Sequence, residues 1–139
     1  DRDAGTIRLP VGLTIDAEEA ARLDLSLDLF AALCTEPSLV GWEGLGIAVQ
    51  AYQRRAQRVV DLVGELATRH NRRLLVRLVK GAYWDREIKL AQQQGLPDYP
   101  VYTRRAHTDL AYLVCAQALL RPAWTWRCRM LENSSAKVS

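Results

Sequence analysis

Apolar residues recur in two alternating patterns along the middle of this chain. Short runs rich in leucine and β-branched residues predict three strands, at 11–15, 45–49 and 74–79. Apolar residues spaced three and four positions apart predict helices over about 17–35, 52–69, 85–94 and 103–119. Successive strands lie roughly 30 residues apart, the length of a right-handed βαβ unit. We therefore expect an α/β fold in which helices cover a parallel sheet.

Further predictions concern the last helix and the two ends of the chain. The apolar face of that helix is predicted to comprise Ala106, Leu110, Leu113, Val114, Ala116 and Leu119. Residues 1–11 show no period, which makes them an atypical extension. Residues 121–139 are basic and aromatic and then polar, so a divergent, disordered tail is predicted there.

Composition and charge narrow the classes of function. The chain has 139 residues, of which 49% are apolar, enough for a packed core. No apolar run approaches the roughly 20 residues of a membrane span, and no signal pattern opens the chain, so we expect a cytoplasmic protein. The net charge of +3 is mild. Arginine pairs at 54–55, 72–73 and 104–105 lie on or beside predicted helices, which favours solvated helix faces over a nucleic-acid site.

Motifs for metals and nucleotide phosphates are missing from the sequence. Its three cysteines, at 34, 115 and 128, form no CxxC pair, and only His70 and His107 could join them, so neither a metal site nor a disulfide framework is expected. No GxGxxG follows a strand, and no GxxxxGK[ST] occurs. A Rossmann site and a phosphate loop are therefore disfavoured.

Polar residues stand at or just after each predicted strand, namely Asp16, Gln50, Arg77 and Lys80. The carboxyl ends of parallel strands meet at one rim, so these side chains are expected to surround one cavity. Asp16 could instead cap the helix after it, and Gln50 could satisfy a loop backbone. Both alternatives stay open at this stage.

Arg77 lies within a run of apolar residues, where a guanidinium is costly unless an anionic or hydrogen-bonding group meets it. A pocket wall for a planar or anionic ligand explains this placement. The alternative is a surface arginine on an edge strand. After the Gly81 turn, Tyr83 and Trp84 are suited equally to core packing and to stacking on a ligand.

Four segments of the chain together resemble a known family: 15–20, 50–55, 77–89 and 99–104. In this order they are similar to the flavin-dependent proline dehydrogenases, most closely to the domain of this kind in bifunctional bacterial enzymes of proline utilization. The likeness covers residues 12–120. It implies a partial proline dehydrogenase barrel, about three consecutive units of a distorted, TIM-like (β/α)8 barrel.

The resemblance implies an oxidoreductase of proline catabolism. The family holds FAD at the carboxyl ends of the barrel strands and transfers a hydride from L-proline to it, which leaves 1-pyrroline-5-carboxylate. The electrons then pass to a membrane quinone, so the parent enzyme is expected in the cytoplasm and peripheral to the inner membrane. Bifunctional relatives add an aldehyde dehydrogenase domain that uses NAD.

The same resemblance assigns roles to individual residues. Asp16 matches the strand-end acid that orders the site, Arg77 the arginine at the flavin edge, and Tyr83 an aromatic near the substrate; these three are the predicted catalytic residues. The predicted cofactor-binding residues are Gln50, Arg77, Val79, Lys80, Gly81, Ala82, Trp84, Thr103 and Arg104. Within that set, Gln50 matches the amide partner of the ring, and Thr103 and Arg104 match the phosphate or ribose side.

The chain also departs from the family pattern. A Thr-His-Asn segment of later strands, a pair of arginines for the proline carboxylate and a strand bearing an active-site lysine have no counterpart here. The alternative is therefore a truncated, inactive α/β fragment, or a module that associates through its sheet edges or through Trp124 and Trp126. We expect such a chain to bind FAD poorly by itself.

Overall fold

Four parallel strands form the sheet. In a computed structural model, which describes residues 12–121 and the backbone of 128–130, the strands are β1 (Leu13–Ile15), β2 (Leu45–Gln50), β3 (Leu74–Val79) and β4 (Cys128–Met130). They lie in the order β1-β2-β3-β4, and each neighbouring pair is parallel. The predicted α/β fold with a parallel sheet is confirmed, and the third strand has its predicted bounds.

β4 lies inside the segment for which a disordered tail was predicted. Its three residues pair with Leu74, Leu75 and Val76 of β3. That prediction is wrong for 128–130, because a strand can be recruited by the free backbone groups of its neighbour without any apolar period of its own. Residues 1–11, 122–127 and 131–139, including Trp124 and Trp126, lie outside the described residues.

The helices are α1 (Leu23–Cys34), α2 (Ala56–Arg69), α3 (Trp84–Gln93) and α4 (Arg105–Leu119), with 3-10 turns at Ala20–Arg22 and Pro37–Leu39. The first two begin later than predicted. Residues 16–19 instead form the loop after β1, and the turn after β2 contains Gln53, which makes an isolated antiparallel bridge to Val101. Asp16 is therefore not the cap of α1, whose N-cap is Arg22.

The sheet has one face toward the helices and one face away from them. The apolar core joins β2 and β3 to α1, α2 and α4, and it includes Phe30, Val60, Val63, Leu74, Val76, Leu78 and Cys115. On β3 the buried residues alternate with half-buried ones, so Leu75, Arg77 and Val79 project from the opposite face. In a closed (β/α)8 barrel the face away from the helices is the interior.

The buried face of α4 agrees only in part with the predicted one. Leu119 is buried and Ala116 packs against the core, as predicted. Leu110 and Leu113 are each 60% exposed, whereas Thr108, Ala111, Cys115 and Ala118 are buried. These four residues follow the same three- and four-residue spacing, so periodicity alone could not choose between the two faces. Small side chains let α4 lie close against its neighbours, which explains why this face is the covered one.

Arg72 contradicts the expectation that the arginine pairs lie on solvated helix faces. Its side chain is only 6% exposed, and its guanidinium donates to the carbonyls of Cys34, Leu39 and Trp42 at 3.3, 2.9 and 3.3 Å. These carbonyls lie at and beyond the carboxyl end of α1, where helix carbonyls lack internal partners. Arg72 therefore fixes the connection that leads into β2.

Across the described ranges 12–121 and 128–130, no helix has both the length and the apolar character needed to cross a membrane.

Candidate active site

An ion pair crosses the sheet at the carboxyl end of its strands. Arg77 lies beside Ala48 in the β2–β3 register, and Asp16 directly follows Ile15, which pairs with Ile47. Asp16 is thus one position beyond Ile15, across the small Ala48 from Arg77, and Arg77 Nη2 contacts Asp16 Oδ1. The methyl group of Ala48 leaves room for the guanidinium to reach the acid.

This arrangement counts against the surface-arginine alternative. β3 lies between β2 and β4, with pairing to β4 as far as Val76, and the Arg77 side chain is 32% exposed on the face away from the helices. Asp16 also accepts a hydrogen bond from the Ala17 N–H at 2.8 Å. The acid and the arginine named from the sequence therefore meet, while their catalytic roles stay predictions.

Gln50 lies deeper than the ion pair and is buried. Its Nε2 donates to the Glu18 carbonyl at 2.8 Å, which is the loop-satisfying arrangement that the sequence left open. This bond fixes the loop that carries Asp16. Val79 is beside Gln50 in the register and half-buried. A contact of either residue with a flavin ring stays a prediction.

The loop after Asp16 is held from a second side by α3, through a residue that the sequence did not single out. Glu87 is only 3% exposed, and its Oε2 accepts from the Ala20 N–H at 2.6 Å. Ala20 opens the 3-10 turn that leads into α1, and no side chain caps that turn locally. Arg86 adds a 2.6 Å ion pair with Glu19. The one available signal was that Glu87 shares the inner helical face with Ala91.

We expect Glu87→Ala to lower the free energy of unfolding by about 1–3 kcal/mol, because the Ala20 N–H loses its acceptor. Glu87→Gln keeps an acceptor oxygen of the same reach and should lose less than half as much. Urea denaturation followed by circular dichroism measures both changes. Glu65→Ala, an exposed position on α2, is the matched control. A Glu87→Ala variant as stable as that control would contradict the capping role.

A cavity of about 400 Å³ lies beyond the end of β3. It brings together five of the predicted cofactor-binding residues: Lys80, Gly81, Trp84, Thr103 and Arg104. Six others complete the lining: Tyr52, Asp85, Tyr102, Arg105, Thr108 and Asp109. Three of the eleven lining residues are cationic and two are acidic, so the cavity favours an anionic ligand.

Hydrogen bonds and an ion pair fix the walls of this cavity. Trp84 Nε1 donates to the Tyr102 carbonyl at 2.8 Å, which joins the start of α3 to the segment before α4. The Arg54 guanidinium lies 5.3 Å from the centre of the Tyr102 ring, within cation–π range. Lys80 Nζ lies 2.7 Å from Asp109 Oδ1.

The turn of Gly81 rests directly on Tyr52, a residue that the sequence did not indicate. Gly81 has φ +138°, and a Cβ there would come within 2.4 Å of Tyr52 Cγ. The Tyr52 ring is buried, and burial, with the nearby Glu87 charge adding to it, raises the pKa of its hydroxyl to about 12. Tyr52 therefore stays neutral near pH 7 and acts as a wall rather than as a base.

Two predicted site residues, Tyr83 and Ala82, belong neither to the residues around the Asp16–Arg77 ion pair nor to the lining of the cavity. Tyr83 is 49% exposed, so the alternative that it packs in the core is wrong, and Ala82 is also exposed. Neither lines the 400 Å³ cavity, whereas the neighbouring Trp84 does. The placement of Tyr83 near a substrate stays a prediction.

Among the residues that the structure describes, no group of three or more histidine, cysteine or acidic side chains is placed to hold a metal ion. Cys34 and Cys115 are buried free thiols. Burial raises the pKa of both, that of Cys115 to about 11, so neither is an activated thiolate near neutral pH.

Comparison with known proteins decides the family. The sequence model described as "Proline dehydrogenase" matches residues 4–137. This chain belongs to the proline dehydrogenase family. The match extends beyond the predicted limits of 12–120 on both sides, while the division into three regions stays a prediction.

Individual relatives agree with that assignment. The chain is 60% identical over 110 residues to the bifunctional protein PutA of Klebsiella aerogenes, and 59% identical over 110 residues to that of Escherichia coli K12. Each match covers 79% of this chain and 8% of the relative. The chain thus spans about a twelfth of the length of these relatives.

Solved structures show the same fold. A mutant of Bradyrhizobium japonicum proline utilization A aligns with a TM-score of 0.80 at 58% identity. Proline utilization A from Bdellovibrio bacteriovorus, inactivated by N-propargylglycine, aligns with a TM-score of 0.81 at 38% identity. Each alignment covers 86% of this chain and 12% of the solved one. The α/β fold is therefore that of a segment of a TIM-like barrel.

Proposed function

We propose that this chain forms part of the site at which a larger enzyme oxidises L-proline to 1-pyrroline-5-carboxylate with FAD. The observation that carries the proposal is the Asp16–Arg77 pair, which stands at the carboxyl end of a parallel sheet, on the face away from the helices. Sites of barrel enzymes are built at that end. Family membership supports the reaction class.

The residues present fit a flavin dinucleotide. Lys80, Arg104 and Arg105 line one cavity and can bind phosphate oxygens by charge-assisted hydrogen bonds. Trp84 and Tyr102 supply aromatic surface in the same cavity. Bound FAD would supply the chemistry of accepting a hydride from carbon 5 of proline.

Arg77 would stabilise the negative charge that develops on an electron-accepting ring. A guanidinium suits this task because it stays charged at every relevant pH and presents a rigid set of donors. Asp16 holds that guanidinium in place, and the loop of Asp16 is in turn held by Gln50 and Glu87. The site is therefore oriented in advance by contacts between distant parts of the chain.

Three further parts of the proposal rest on the family resemblance alone. They are a quinone as the electron acceptor, a cytoplasmic location of the parent enzyme, and its peripheral binding to the inner membrane.

The alternative of an inactive fragment or association module also has support. β1 is at one edge of the described sheet, and Leu25, Leu29, Leu110 and Leu113 are exposed on α1 and α4. Apolar residues of this size on a helix surface are suited to further packing. We therefore propose that the isolated chain binds FAD weakly and turns over little proline.

A chimaera separates these possibilities. Residues 12–121 replace the matched segment of Klebsiella aerogenes PutA, and the purified chimaera is mixed with L-proline without oxygen. We expect it to contain FAD and to lose its oxidised-flavin absorption, while the isolated chain titrated with FAD shows neither tight binding nor bleaching. A folded, FAD-loaded chimaera that proline fails to reduce would refute the proposed chemistry. A stoichiometric, proline-reducible flavoprotein from the isolated chain would refute the fragment behaviour.

A further inference from the structure

An aspartate and a lysine form an ion pair in the wall of the cavity at the end of β3. Lys80 directly follows β3, Asp109 lies in the second turn of α4, and Lys80 Nζ is 2.7 Å from Asp109 Oδ1. The two side chains are 38% and 45% exposed, so Lys80 remains open to solvent and to a ligand, whereas the Asp109 Oδ1 that faces it is itself buried. Among the described residues, neither Arg104 nor Arg105 forms an ion pair, although both line the same cavity.

Buried residues other than Asp109 hold α4 against the rest of the fold, namely Thr108, Ala111, Cys115, Ala118 and Leu119. Half-exposed ion pairs contribute little to stability, because water and salt screen them. The Asp109 carboxylate therefore contributes little to the stability of the fold, yet it neutralises the Lys80 ammonium group that extends from the end of β3 into the cavity.

We propose that Asp109 is a built-in counter-ion, which occupies Lys80 until a phosphate-bearing ligand replaces it and so lowers the affinity of this cavity for anions. This inference rests on the proposed function, in which the cavity receives the phosphates of the cofactor. A phosphate oxygen and the Asp109 carboxylate compete for the same ammonium group. The exchange also leaves Asp109 beside a second anion, which is unfavourable.

The test is calorimetric titration of the purified chain with inorganic pyrophosphate at low ionic strength. Asp109→Asn keeps the size of the side chain and removes its charge. It should tighten binding by about two- to five-fold, the effect expected of a half-exposed ion pair. Asp61→Asn, at an exposed position on α2, is the matched control and should leave binding unchanged.

A double-mutant comparison separates competition for Lys80 from simple electrostatic repulsion between the Asp109 carboxylate and the anionic ligand. The same substitution is then made in a Lys80→Met background, or in Lys80→Gln if the methionine variant does not fold. There, the gain in pyrophosphate affinity from Asp109→Asn should be less than half of the gain measured with Lys80 present. An equal gain in that background would overturn the proposal, as would an Asp109→Asn variant that binds pyrophosphate no better. Binding of pyrophosphate by none of the variants would overturn it too, since Lys80 would then have no anion to receive.

Parallel titrations with FAD keep this inference distinct from the proposed function. FAD binding that ignores Asp109 would remove the counter-ion role and leave the cofactor proposal standing. A pyrophosphate gain in the isolated chain, together with a folded chimaera that contains no FAD, would support the counter-ion role and count against the cofactor proposal. Circular dichroism and the melting temperature verify that each variant is folded.

Discussion

Replacing Gly81 by alanine is expected to lower the free energy of unfolding by about 2–5 kcal/mol. Two effects combine. The backbone at Gly81 has φ +138°, a conformation that residues with a Cβ rarely adopt. The new methyl group would also lie 2.4–2.6 Å from three atoms of the buried Tyr52 ring, so that the ring or the turn would have to shift. Because Gly81 and Tyr52 both line the cavity, its shape should change as well.

Gly95 provides a control for a positive φ without a clash. Its φ is +64°, and a Cβ there would meet nothing within 4 Å. Gly95→Ala should therefore cost only about 1 kcal/mol of backbone strain. Urea denaturation of both variants gives the difference, which combines the clash with Tyr52 and the greater backbone strain of alanine at φ +138°. Equal losses at the two positions would contradict the close packing of Gly81 on that ring.

Replacing Arg77 by methionine in the chimaera described above is expected to slow reduction of the flavin by proline about 10²- to 10³-fold, the usual loss when one preorganised donor to a developing anion is removed. Arg77→Lys keeps a charge but not the planar set of donors, so it should recover only part of the rate. Stopped-flow measurement of flavin bleaching checks both variants.

Folding is not expected to explain this loss of rate. The partner of Arg77, Asp16, has a side chain that is 75% exposed, so water can solvate its carboxylate once the guanidinium is gone. Arg58→Met, at an exposed position on α2, is the matched control and should leave the rate unchanged. An Arg77→Met variant that is reduced as fast as this control would remove Arg77 from the proposed chemistry.

The sequence was most informative where local pattern and chemistry coincide. The run from Leu74 to Val79 predicted β3 with its correct bounds, because a buried strand needs a continuous series of apolar residues that only a charged Arg77 interrupts. Strand spacing then required parallel pairing, and parallel pairing brings strand ends to one rim. The meeting of Asp16 and Arg77 followed from these two constraints.

Residues whose partners lie far along the chain could not be placed in this way. Glu87 reaches Ala20 across 67 positions, and Arg72 reaches carbonyls 30 to 38 positions away. From spacing alone, both resemble solvated charges on a helical segment, which is the more frequent arrangement. The Tyr52 ring under Gly81 likewise depends on how the turn after β2 lies against the turn after β3.

The amino-acid sequence by itself determined the order of the first three strands and of the helices, the family and the groups that meet at the strand ends, because each depends on residue type and short-range spacing. Only the tertiary structure decided which face of α4 is covered, which charges are buried and which acid Lys80 meets. Those outcomes depend on close packing between elements distant in sequence, where side chains of similar hydrophobicity differ only in how well they fit.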